Sequence, residues 1–148
     1  MGAFYRAAIA ALAIVLPIGS LQAQTALPPE LPREVEGPIS TFFETVKQGQ
    51  GDKALQGLFG SSPLWARAGI KEQMSGQLDT AVKIYGPIQD YECPTVYRTG
   101  TMLIRTYCLS QHPELVMRWQ FDFVRTAKGW SLSYFSFIDQ SNLWPDKP

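Results

Sequence analysis

At Gly86-Pro87 the hydrophobic period of this chain changes. Upstream, Ile70, Met74, Leu78, Ala81, Val82 and Tyr85 recur at i, i+4, i+8, i+11, i+12 and i+15, one apolar stripe over four helical turns. Gly86 stands where a left-handed helix C-terminus belongs, and Pro87 prevents continuation. Downstream, four runs rich in β-branched and aromatic residues follow: about Ile88 to Arg98, Met102 to Ser110, Leu115 to Arg125 and Gly129 to Ile138. Turn signals separate them at Thr99-Gly100-Thr101, Gln111-His112-Pro113 and Ala127-Lys128-Gly129. Connections this short make consecutive antiparallel hairpins.

Two further helices precede the stripe. Ile39, Phe42, Phe43 and Val46 have helical spacing from about Pro38 to Gln48, and Gly49-Gln50-Gly51 stops them. Asp52 suits an N-cap, with Ala54, Leu55, Leu58 and Phe59 as a short second apolar face ended by Gly60. Ser62 and Pro63 then offer a cap and first position for the third helix. Helices first and antiparallel strands second make an α+β domain, with three N-terminal helices on one face of a four-stranded meander. The run Met117, Trp119, Phe121, Phe123 alternates with Arg118, Gln120 and Asp122, so one face of the sheet is buried.

The ends carry a different signal. Arg6, the apolar run Ala7 to Leu16, the break at Pro17 and Gly19, and Leu21-Gln22-Ala23 read as a signal peptide over 1–23. Ten apolar residues are too few to span a bilayer, which needs about 20; the alternative is an uncleaved anchor. Residues 24–37, with Pro28, Pro29 and Pro32, read as a proline-rich extended lead, and 38–148 as a single domain. Removing Arg6 leaves 12 basic against 13 acidic residues, a net charge of about −1. There is no basic stripe, so neither nucleic acid nor, after cleavage, an anionic membrane is an expected partner. A periplasmic or secreted product is expected.

An oxidising compartment pairs cysteines, and the chain has two, Cys93 and Cys108. A two-residue Gly100-Thr101 turn makes facing residue numbers sum to 201, and 93 and 108 do so. The sulfurs would then lie opposite on neighbouring strands. A short loop closed this way adds roughly 3 kcal/mol.

These pieces together resemble a superfamily. Three helices, Tyr85-Gly86-Pro87-Ile88 into a long strand, Trp119-x-Phe121-x-Phe123, Gly129-Trp130-x-Leu132 and Phe135-x-Phe137 are similar to the nuclear-transport-factor-2-like, or cystatin-like cone, superfamily, and within it to small secreted bacterial members of unknown function. The resemblance covers Pro38 to Asp139 and implies a curved sheet wrapped on a long helix, often with a pocket between. Relatives include ketosteroid isomerase, scytalone dehydratase, ligand-binding proteins and dimerising modules, so fold does not give function. Gly60-Ser61-Ser62 leaves no room for the hairpin that many relatives insert there, so a reduced cone is expected. No catalytic set of a family enzyme aligns with this chain.

Candidate chemistry is sparse. His112, the only histidine, falls in a turn before Pro113 and reads as a solvated turn residue. Asp122 beside Arg118 and Gln120 is either a solvated strand residue or a polar pocket wall. Arg105 faces the core among Trp119 and Phe121 if Leu103 and Tyr107 point inward, and faces solvent if Met102, Ile104 and Cys108 do. Tyr134, Phe135 and Phe137 cannot share a face, which a bulge near Ser133 would explain. Asn142-Leu143-Trp144-Pro145 is either a strap over the core or a dimer contact. The leading expectation is a non-catalytic periplasmic domain taking a small apolar ligand, or a partner, at a cone cavity. Tyr85, Trp119, Phe121 and Tyr134 would line it, with Arg105 or Arg118 orienting a polar end. A homodimerisation or assembly module is the alternative, and a lyase or isomerase using Asp122 with Tyr107 the third. No cofactor or metal is expected.

Overall fold

The computed structural model describes residues 30–60 and 62–139. The expected signal peptide and the Asn142–Pro145 segment lie outside them. The elements are α1 (Arg33–Lys47), α2 (Gly51–Phe59), α3 (Ile70–Tyr85), β1 (Asp90–Thr99), β2 (Leu103–Gln111), β3 (Val116–Thr126) and β4 (Gly129–Ile138). All strand pairs are antiparallel, in the order β1-β2-β3-β4. This is the α+β arrangement of three helices and a four-stranded meander.

Three helix starts differ from the sequence reading. α2 begins at Gly51 with Gln50 before it, so Asp52 does not cap the helix but lies in its first turn, where its charge suits the positive end of the dipole. α1 begins at Arg33, so residues 33–37 are helical rather than part of an extended lead. Val35 explains the extension: it joins Ile39, Phe42, Phe43 and Val46 in one buried stripe. Glu34 and Glu36 in the first turn also suit the positive end of the helix dipole. Pro38 therefore lies inside the helix, where its missing N–H costs one bond; burial of the stripe outweighs that. α3 begins at Ile70 rather than near Pro63, with Gly69 in the left-handed region (φ 79°) before it. Ser62 does not cap it. Its hydroxyl donates to the Leu132 carbonyl (2.6 Å) and accepts from the Leu64 N–H (3.2 Å), pinning the α2–α3 connection to β4. Gly86 does end α3 with positive φ (81°), and Pro113 approaches so closely that a Cβ there would meet it at 3.1 Å.

The cysteines bridge, but by another route than a two-residue turn. Thr99 pairs with Leu103, so the turn holds Gly100, Thr101 and Met102, and facing numbers sum to 202. That register alone would set Cys93 against Leu109. A bulge between Glu92 and Thr95 absorbs the extra residue, and beyond it Glu92 faces Leu109 and Tyr91 faces Ser110. Cys93 and Cys108 meet at this bulge and are disulfide-bonded. Pro94 suits it, because a bulge on an edge strand needs no ladder N–H. The second expected bulge is present: Asp122 pairs with Tyr134 but Phe123 with Leu132, leaving Ser133 as the extra residue. The Ser133 hydroxyl donates to the Asp122 carbonyl (3.1 Å). Leu132 and Phe135 are thereby both buried while Tyr134 is exposed.

The core lies between the helices and the inner sheet face. Phe42 of α1 meets Trp119, Phe121 and Phe135 edge-on at centroid distances of 5.5, 5.9 and 5.5 Å. Phe59 of α2 meets Phe135 at 5.6 Å. Edge-to-face pairs of this kind contribute beyond the area they bury. One buried side-chain oxygen among the described residues, Ser75 Oγ on α3, has no hydrogen-bond partner. Ser75→Ala removes that unpaired hydroxyl and improves helix propensity, so it will stabilise the fold by about 0.5–1 kcal/mol. Urea unfolding measures this; a loss of stability would mean that the hydroxyl is satisfied in solution.

Candidate functional site

β2 alternates without interruption. Ile104, Thr106, Cys108 and Ser110 are buried toward the helices, while Leu103, Arg105, Tyr107 and Leu109 are half-buried on the other face. Arg105 is therefore on the outer face, away from Trp119 and Phe121, and Met102 lies exposed in the turn. Register puts Arg105 directly across from Asp122. The guanidinium donates to both carboxylate oxygens, Nε–Oδ1 at 2.9 Å and Nη2–Oδ2 at 2.6 Å. Gln120 Nε2 donates to Oδ1 as well (3.0 Å). Hydrogen bonding to Asp122 holds the Arg105 guanidinium protonated well above its usual range, with burial opposing.

Asp122 is thus not a solvated strand residue. It is buried on the outer face under its own partners, and Ser133 occupies its carbonyl. A carboxylate with three charge-assisted or amide donors is poorly placed to take a substrate proton. Around the pair, Tyr97 meets Tyr107 edge-on at 6.0 Å, and Arg118 lies 4.8 Å over the Tyr107 ring. Burial, then Tyr107, raises the Tyr97 hydroxyl pKa. Tyr134, 48% exposed, stands across from Asp122 on β4. Tyrosines, arginines and a shielded ion pair therefore form one continuous sheet face.

The expected cavity residues divide between locations. Trp119 and Phe121 are fully buried and interlocked with Phe42 and Phe43. Arg105, Arg118, Asp122 and Tyr134 belong to the outer face. Tyr85 lines a groove of about 590 Å³ between α3 and the adjoining parts of β3 and β4. Its hydroxyl donates to the Asp139 carboxylate at the end of β4, and that bond, followed by burial, raises its pKa.

His112 is the residue that sequence reading misplaced. It is buried just beyond β2, with Nδ1 2.9 Å from the Gly86 carbonyl and Nε2 3.0 Å from Ser110 Oγ. Ser110 Oγ accepts from Trp119 Nε1 at 2.7 Å. A carbonyl can only accept, so Nδ1 carries the proton and Nε2 receives the Ser110 hydroxyl. A serine donating to an oriented histidine is the relay of an activated nucleophile. Ser110 is 0% exposed, however, so no substrate reaches its oxygen, and the relay joins core elements instead. The alternation of Ser110 and His112 in the sequence was the signal that could have found it.

Among the described residues no helix is long and apolar enough to cross a membrane, and no group of three or more potential metal ligands gathers. No protein-family model matches the chain, and no curated protein matches it in sequence.

Proposed function

We propose that this domain is a periplasmic or secreted assembly module, a reduced member of the cone superfamily, whose open sheet face associates with a second copy of the chain. The observation carrying the reading is the outer face itself. Tyr97, Tyr107, Arg118 and Tyr134 present partly exposed aromatic and guanidinium surface in one layer, and these residue types are enriched where proteins meet. Arg105 and Asp122 neutralise each other there, so this pair adds no net charge to the contact, while the Arg118 guanidinium lies over the Tyr107 ring. Four strands at ~4.8 Å spacing and about nine residues long give a face of roughly 570 Å² in projection. That approaches the ~800 Å² per partner of a stable interface. Two bulges, which bend the strands carrying them, support the cone assignment. The disulfide and the leader-like N-terminus support export. The filled surroundings of Trp119 and Phe121 disfavour a ligand seated on those two residues, and the occupied Asp122 oxygens disfavour an isomerase.

Sedimentation equilibrium on the oxidised mature chain tests the reading. At about 100 µM, a hundredfold above a micromolar dissociation constant, the expected species is a dimer. The Tyr107→Ala, Arg118→Ala double variant should weaken association at least tenfold with little change in melting temperature. A monomer throughout that range overturns the proposal.

A further inference from the structure

The groove between α3 and the β3–β4 sheet lies apart from the outer face, and its walls have a definite chemistry. Ala81, Ile84, Met117, Phe137 and Ile138 make them apolar. Ile84, 65% exposed at the rim, extends this apolar wall toward solvent. The helix wall is polar toward its N-terminal end, where Glu72, Gln73 and Gln77 line it, while Thr80 Oγ is turned back to the Gly76 carbonyl (2.7 Å). Gly76 sits in the interior of α3, where glycine is unfavourable, and a Cβ there would meet nothing within 4 Å. Its missing side chain leaves the groove room. The charges lining it, Glu72 and Asp139, are both negative, and no lysine or arginine lines it among the described residues. Tyr85, bonded through its hydroxyl to Asp139, and Phe137 line the groove together with that carboxylate.

We propose that this groove binds an apolar monocation, an amphiphile with an alkyl body and an ammonium head. The body lies along Ala81, Ile84 and Phe137. The head lies at the Tyr85–Asp139 pair, where a carboxylate and an aromatic ring both favour positive charge. The volume of about 590 Å³ suits one such molecule. The proposal does not depend on self-association, since α3 and the outer sheet face are on opposite sides of the sheet.

Isothermal titration of the mature protein with decyltrimethylammonium, kept below its micelle concentration, tests the idea, with decyl sulfate as the anion of equal chain length. The expected result is saturable 1:1 binding of the cation, with the anion weaker by roughly tenfold or more. Asp139→Asn should narrow that preference by weakening cation binding alone. Gly76→Leu should fill the groove and abolish binding, while the melting temperature holds or rises because leucine favours helix. Equal affinity for cation and anion, absence of saturable cation binding, or undiminished binding by Gly76→Leu would each overturn the proposal.

Discussion

Replacing Cys93 and Cys108 together with alanine will lower the free energy of unfolding by about 3 kcal/mol. The bridge closes a loop with a sequence separation of 15, and the chain-entropy model gives that magnitude for a loop of about this length. The loop is the β1–β2 hairpin, whose outer strand is a sheet edge with a bulge interrupting its ladder. The disulfide therefore supplies at the bulge a constraint that backbone pairing does not. Guanidinium unfolding of the wild type with and without reductant should reproduce most of the difference between wild type and variant. A loss below about 1 kcal/mol in both comparisons would mean that the reduced hairpin is already held in register by its turn and by the burial of Cys108 and Val96.

What could be read from the sequence was periodicity, and what could not was compensation between distant residues. The Gly86-Pro87 break, the stripe of α3 and the alternation of β3 each depend on residues close in the chain, and each matches the structure. The sum of 201 that pairs Cys93 with Cys108 rests on a turn one residue shorter than the one present. The pairing holds because the bulge at Cys93-Pro94 offsets the longer turn, a cancellation invisible to register arithmetic. Pro38 looks like a helix boundary in the sequence, whereas a buried stripe reaching back to Val35 overrides this local helix breaker and starts α1 at Arg33. Arg105 remained ambiguous because strand parity needs a pairing partner, and only the register opposite Asp122 settles it. His112 is hidden from sequence reasoning for the same kind of reason. A residue beside a proline turn reads as solvated until Gly86, 26 positions away, comes within hydrogen-bonding distance.

That histidine yields the second large effect. Every member of the chain Trp119–Ser110–His112–Gly86 uses one donor on one acceptor: indole N–H to serine oxygen, serine O–H to Nε2, Nδ1–H to carbonyl. The set is closed and buried, and it ties the inner sheet face to the corner where α3 turns into β1. His112→Ala strands the Ser110 hydroxyl and the Gly86 carbonyl, each a buried polar group worth about 1–3 kcal/mol when unpaired. It also leaves a void where the imidazole packed edge-on against Tyr85. Together these should cost about 3 kcal/mol or more. Ser110→Ala leaves the Trp119 N–H and the His112 Nε2 without partners and should cost about 2 kcal/mol. The decisive quantity is the coupling. A serine without its histidine has already lost its acceptor, so the double variant should lose at least 1 kcal/mol less than the two single losses added. Additivity within about 0.5 kcal/mol would mean that the residues act independently, and that water or local rearrangement satisfies Ser110 and Gly86 once the imidazole is gone.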